Sequence, residues 1–314
     1  TRYYQTIRYY QPSQIFYRLV ARARRLRAPQ KIKNLCRKQG LQVRHLLPGI
    51  AEPVAEGPRL FFEQDGITVR LLNRAYDGSR EFKWRDLEKR IPTRLGRFHL
   101  HYHEFFLPKC SGDSWPALVK QIWEGVARWI SEYDGQYSPD AWHPYVVSRR
   151  IPVWIKLFSQ HPPEGPLAER VLASLTAQTR WLSRNLEFDL GGNHLMQNLR
   201  ALAVAGAFFA GQEADEWLDR ARGILGAECH KQILGSGEHF ERAPMYHVDV
   251  LLSLADIRDA FRAAYGDLPG DLDELIEKMA QFLGHILHPD GQIPLFGDST
   301  LDLTPSPRQV FARL

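Results

Sequence analysis

From Trp115 onward, apolar side chains recur at helical spacing. Trp115, Leu118, Val119, Ile122, Val126, Trp129 and Ile130 fall on one face at i, i+3, i+4 and i+7. Further helices are predicted over 148–158 (with Pro152 near its start), 167–188, 194–209, 213–226, 247–264 and 272–287. Val171, Leu175 and Leu182 form the apolar face of the second of these. Short polar links rich in Gly, Pro, Asp and Ser separate them. Consecutive helices joined this way pack as antiparallel hairpins, and a series of hairpins gives a superhelix or a ring. No fixed-period repeat is visible, which argues against an ankyrin- or tetratricopeptide-type array. Thr304-Pro305-Ser306-Pro307 reads as a loop into a short final helix.

The first 95 residues follow a different pattern. In 13–27, Phe16, Leu19, Val20 and Ala23 recur at helical spacing among Arg18, Arg22, Arg24, Arg25 and Arg27. The expectation is a helix docked on the main body with its arginines in water, since arginine stems cover apolar surface without binding anything. A membrane or nucleic-acid contact is the alternative. Residues 40–95 carry Pro, Gly and β-like stretches such as Gly66–Leu72, which predict a hairpin or an extended arm. The expected organisation is a helix and arm over 1–95 packed on a helical body over 96–314.

Composition narrows the function classes. The chain has 314 residues, 44% hydrophobic and 25% charged, with a net charge of +5, an ordinary globular mixture that favours anionic partners. Cys36, Cys110 and Cys229 are too sparse for a disulfide framework or a Cys-x-x-Cys metal pair. No apolar run approaches a membrane span, so stable insertion is not expected. The first residues lack the continuous apolar stretch of a signal peptide, although a chain starting at Thr1 is compatible with a processed leader. No nucleic-acid motif accompanies the basic charge.

Two loop-to-helix junctions concentrate chemistry. In Leu190-Gly191-Gly192-Asn193-His194, paired glycines allow tight geometry and set Asn193 at a helix N-terminus, where N–H groups favour an anion such as a carboxylate. The plain alternative is a helix cap followed by a core histidine. In Gly237–His247 the residues Glu238, His239, Glu241, Arg242, Tyr246 and His247 crowd one loop. That is where a site is expected, unless the loop is merely solvated. A third stretch, Phe98–Phe106, spaces His99, His101 and His103 as a strand-borne metal site would. No further ligand follows at a known spacing, so lining of a sugar cleft is preferred and no metal is expected.

The stretches TIRYYQPSQIFYRL, LLNRAYD, FHLHYHEFF, NLEFDLGGNHLMQNLRAL, GEHFERAPMYHVDVLLSL and HPDGQIPLFGDS occur in an order that resembles the heparinase II/III family of polysaccharide lyases. The pair GNH-x-x-x-N and ER-x-P-M-Y-H is the most specific. The resemblance implies an all-α incomplete (α/α) toroid, followed in the family by a β-sandwich domain that supplies another histidine and has no counterpart in these 314 residues. It also implies a bacterial, periplasmic setting and cleavage of an acidic, uronate-containing polysaccharide by β-elimination, without a cofactor. By that resemblance Asn193 neutralises the uronate carboxylate with His194 beside it. Tyr246 is the catalytic base, acid or both, and either nearby cations favour its phenolate or the proton moves in a concerted step. Arg242 and His247 assist, His239 and Glu241 support, and Arg74, Tyr102 and His103 line the cleft. The alternatives from other classes are a non-catalytic carbohydrate-binding or scaffold domain and a glycoside hydrolase. For the last, Glu238 and Glu241 lie too close in one loop to flank a glycosidic bond.

Overall fold

The computed structural model describes residues 12–51, 59–62, 66–79, 81–107, 115–266, 271–301 and 303–314. Helix α1 (Pro12–Leu35) precedes an antiparallel three-stranded sheet, β1 (Arg59–Phe62), β2 (Gly66–Leu71) and β3 (Arg74–Ser79), in the order β1-β2-β3. Then come α2 (Trp84–Arg90), α3 (Arg94–Tyr102), a 3-10 turn (Glu104–Phe106), α4 (Trp115–Tyr133), α5 (Pro144–Gln160), α6 (Pro166–Ser183), α7 (Gly192–Phe208), α8 (Gln212–Gln232), α9 (Pro244–Tyr265), α10 (Leu272–Ile286) and α11 (Pro307–Arg313).

Helices α3, α5, α7 and α9 stand side by side as an inner arc, and α4, α6, α8 and α10 pack outside them. The inner helices run in the same direction. Tyr145 meets His194 near the starts of α5 and α7, and Phe158 meets Phe208 near their ends. Likewise Gln197 reaches Asp249, and Arg200 reaches Asp256, along α7 and α9. Inner helices touch neighbours on most sides and are buried nearly all round. In α7 the run from Leu195 to Phe208 is buried throughout. Gly206 makes this packing possible, because a Cβ there would lie 2.6 Å from Leu218 Cγ and 2.8 Å from the Ala214 carbonyl oxygen of α8. The result is an incomplete toroid of paired helices, the all-α architecture expected from the sequence.

Residues 39–51 form an arm whose course hydrogen bonds fix. Leu41 N–H donates to Thr176 Oγ1, Arg44 N–H to the Phe208 carbonyl, Leu47 N–H to Ser159 Oγ, and Ala51 N–H to Asp256 Oδ2. The arm thus crosses the C-terminal ends of α5 and α7 and closes that end of the toroid. The opposite end, where α5, α7 and α9 begin, is left to loops.

Two expectations need correction here. The stretch Phe98–Phe106 is not a strand: α3 is a helix that ends at His103 in the left-handed conformation. Its histidines therefore point in different directions. In α1, the stripe read from the sequence is not the docked one. Ala28, Ile32 and Leu35 are buried, whereas Phe16 and Leu19 are exposed. Among the described residues no helix is long and apolar enough to cross a membrane.

Candidate active site

The two junctions singled out by sequence do meet. Asn193 is the second residue of α7, and its N–H donates to Glu241 Oε1 at 3.2 Å. Glu241 therefore supplies the anion that the start of α7 attracts. The approach is close enough that a Cβ on Gly192 would lie 2.5 Å from Glu241 Oε1. The side-chain amide of Asn193 has no protein partner among the described residues. One turn further along α7, Gln197 donates to Asp249 of α9 at 2.8 Å. Two bridges thus hold the start of α7 against that of α9.

Beside Asn193, His194 Nδ1 donates to Glu187 Oε1 at 3.2 Å, and its ring lies 4.2 Å from that of Tyr145. Glu187 is buried and clamped. Its N–H donates to Asn198 Oδ1 at 2.9 Å, and its Oε2 accepts from Asn198 Nδ2 at 3.0 Å. This explains the second asparagine of GNH-x-x-x-N. In the neutral ring whose Nδ1 donates, Nε2 carries the lone pair, and it has no protein partner among the described residues.

Tyr246, in the first turn of α9, donates its hydroxyl to Asp298 Oδ2 at 3.4 Å. Burial, followed by the charges of Asp298, Glu241 and Asp249, raises its pKa above the usual phenol value. Of the two routes open to Tyr246, cations favouring the phenolate or a concerted proton transfer, the first finds no support here, because carboxylates surround the hydroxyl. Arg242 is exposed and weakly paired with Glu238 at 3.9 Å. Tyr246 therefore rests as a neutral phenol.

The remaining candidates are placed elsewhere. His247 is buried, with Nε2 donating to the Met279 carbonyl at 2.9 Å and Nδ1 accepting from His239 N–H at 3.3 Å. Both nitrogens are occupied, and burial lowers its pKa to about 4. His239 is fully buried against Gln232, with its pKa also lowered to about 4, first by burial and then by His247. Both hold the loop in place and neither faces the cleft. His103 sits in the core, stacked on Trp154, whose indole N–H donates to its Nδ1 at 2.9 Å. It is withdrawn from the cleft because the apolar rings around it exclude water. Tyr102 is buried under Arg149, whose guanidinium lies 5.7 Å from its ring centroid. Arg74 is exposed at the start of β3 and has no contact tying it to either junction. Among the described residues, no three His, Cys, Asp or Glu side chains gather as metal ligands.

Sequence reasoning missed the partners. Glu187 and Asp298 lie within the resembling stretches, but nothing local distinguishes them from neighbouring acids. Glu104, Arg149 and Asp249 join α5 to the end of α3 and to α9 in one half-buried ion cluster. They are brought together only by the fold.

The model of the heparinase II/III N-terminus matches residues 76–311. A heparin-sulfate lyase of Bacteroides stercoris is 27% identical over 237 residues, covering 65% of this chain and 35% of that protein. FtsZ-localized protein C of Caulobacter vibrioides is 25% identical over 281 residues, covering 85% of this chain and 45% of that protein. The crystal structure of heparinase III superposes with a TM-score of 0.56 at 22% identity, over 69% of this chain and 35% of that one, and supports the fold. The chain spans less than half the length of these relatives. With the family model covering most of its residues, this chain belongs to the heparinase II/III family of polysaccharide lyases through that family's N-terminal domain.

Proposed function

We propose that this chain is the helical part of a lyase that cleaves an acidic, uronate-containing polysaccharide by β-elimination. The observation that carries this reading is the pairing of a partner-free amide, on Asn193, with a neutral phenol, on Tyr246, on adjacent helices bridged at the same end. A uronate ring resists loss of its C5 proton because its carboxylate is already negative. The Asn193 amide is an uncharged donor that stabilises the second charge as the aci-carboxylate forms. His194 accepts the C5 proton at Nε2, oriented by Glu187 as a buried carboxylate orients a general base. Tyr246 gives its proton to the departing O4, the C4–O4 bond breaks, and a C4–C5 double bond remains. Glu241 holds the start of α7 until the substrate carboxylate competes for the same donors, and exposed Arg242 attracts the polymer.

The test is Tyr246→Phe in the natural full-length protein, assayed across acidic polysaccharides by the ultraviolet absorbance of the unsaturated product. The expected loss is about 10²- to 10⁴-fold in kcat. Near-normal turnover removes Tyr246 from the reaction.

A second reading, a scaffold that binds polysaccharide without cleaving it, draws support from the Caulobacter relative, whose name denotes a place in the cell and not a reaction. Saturable binding of an acidic oligosaccharide without any rise in absorbance favours it.

A further inference from the structure

The chain's charge is divided between two regions. Residues 1–51 hold 12 of the 41 Lys and Arg and none of the 36 Asp and Glu. The remainder, with 29 basic against 36 acidic side chains, carries −7. The net positive charge that pointed to an anionic partner therefore belongs to α1 and the arm, and the toroid itself is acidic.

Helix α1 is also apolar on two sides. One side, Ala28, Ile32 and Leu35, is buried in the body, and Tyr17 packs on Phe188 with ring centroids 5.1 Å apart. On the opposite side Phe16, Leu19, Ala23 and Leu26 follow spacings of three, four and three residues and form a single line. Phe16, Leu19 and Leu26 are 61%, 64% and 84% exposed, the three most exposed large apolar side chains among the described residues. Arg22 and Arg27 flank this line and face solvent.

We propose that this outer face of α1 is a docking surface for an anionic lipid bilayer, with the helix lying in the plane of the headgroups. An apolar line bordered by arginines meets both needs of such a surface: acyl chains bury the leucines and phenylalanine, and acidic headgroups pair with the guanidinium groups. A nucleic acid satisfies the arginines and leaves the apolar line in water. A second copy of the chain covers the line and brings the flanking arginines of two helices together. Attachment is peripheral, since no described helix is long and apolar enough to span a membrane. Tyr17, Ala21 and Arg24 of α1 line one recess with His143 and Glu187, so a docked helix holds the candidate site close to the lipid.

The test is co-sedimentation of the 314-residue chain with vesicles of phosphatidylcholine alone or with about a third phosphatidylglycerol, at low and high salt. Binding is expected only to the anionic vesicles and falls as salt rises. Leu19→Ser with Leu26→Ser, and separately Arg22→Gln with Arg27→Gln, are each expected to weaken partitioning by at least about tenfold. All four residues are exposed, so melting temperature and circular dichroism stay unchanged. Failure to bind anionic vesicles, equal binding to neutral ones, or variants that bind as well as the parent each overturn the proposal. So does a leucine variant that turns a dimer into a monomer by light scattering while vesicle binding persists.

Discussion

Tyr246 illustrates how the neighbours of a residue set its chemistry. Half-buried and beside Asp298, Glu241 and Asp249, this phenol holds its proton above the usual value of about 10. It is suited to donate a proton, and the alkaline limb of kcat/KM is expected above that pH. Asp298→Asn removes a charge that disfavours the phenolate, so the limb moves to lower pH in a pH–rate profile. Glu187→Gln keeps the shape of the clamp but removes the charge that faces His194. A kcat reduced roughly ten- to a hundredfold, with KM and melting temperature preserved, is expected; an unchanged kcat discards the His194 role. His239 and His247 act on stability instead. Burial lowers both to about 4 in the folded chain, whereas an unfolded histidine titrates near about 6.5. Between those values the unfolded state takes up more protons. The stability is complete above about pH 6.5 and is lost as pH falls toward about 4. Thermal melts from neutral to acidic pH check this. The sequence exposed the type and order of these residues, and Asn193 and Tyr246 stood out by resemblance. Whether a given histidine faced water was not legible, because His194 and His247 follow similar loops and only tertiary packing separates them.

The elements were the most legible layer. Helices α4 to α10 follow from the recurrence of apolar residues, which the outer helices bury along one stripe and the inner ones on most sides. The failures are instructive. The alternation His99-x-His101-x-His103 imitates a strand, but the stretch is helical, and Trp129 and Trp154 donate to the rings of His101 and His103. Periodicity found a stripe on α1 without telling which of its two apolar sides is covered. Between α7 and α8 the decisive residue is Gly206. Gly206→Ala forces a methyl against the backbone of α8 and is expected to cost about 1–3 kcal/mol in a urea unfolding titration. A neutral result shows that the two helices separate more easily than their packing suggests.

The whole molecule depends on polar layers strung along its axis. Nearest the candidate site, Glu104, Arg149, Gln197 and Asp249 join the end of α3 to α5, α7 and α9. Below them Asp256 accepts from Arg200 at 2.7 Å, from Arg313 at 3.0 Å and from Ala51 N–H at 3.0 Å, tying α9 to α7, α11 and the arm. Asp256→Ala leaves the buried Arg200 guanidinium without its carboxylate and takes one of two from Arg313, and is expected to cost about 3–5 kcal/mol, read from chemical denaturation. No sequence signal revealed these layers, whose members lie up to 205 positions apart.

These layers plug the ring. Among the described residues the axis is filled by ionic side chains and its far end is covered by the arm, so a sugar chain has no route through. A polymer has to drape across the rim and leave by the side from which it arrived. On the lyase reading proposed above, such a strand needs no free terminus to be gripped, and cuts are expected to fall within long chains as readily as at their tips.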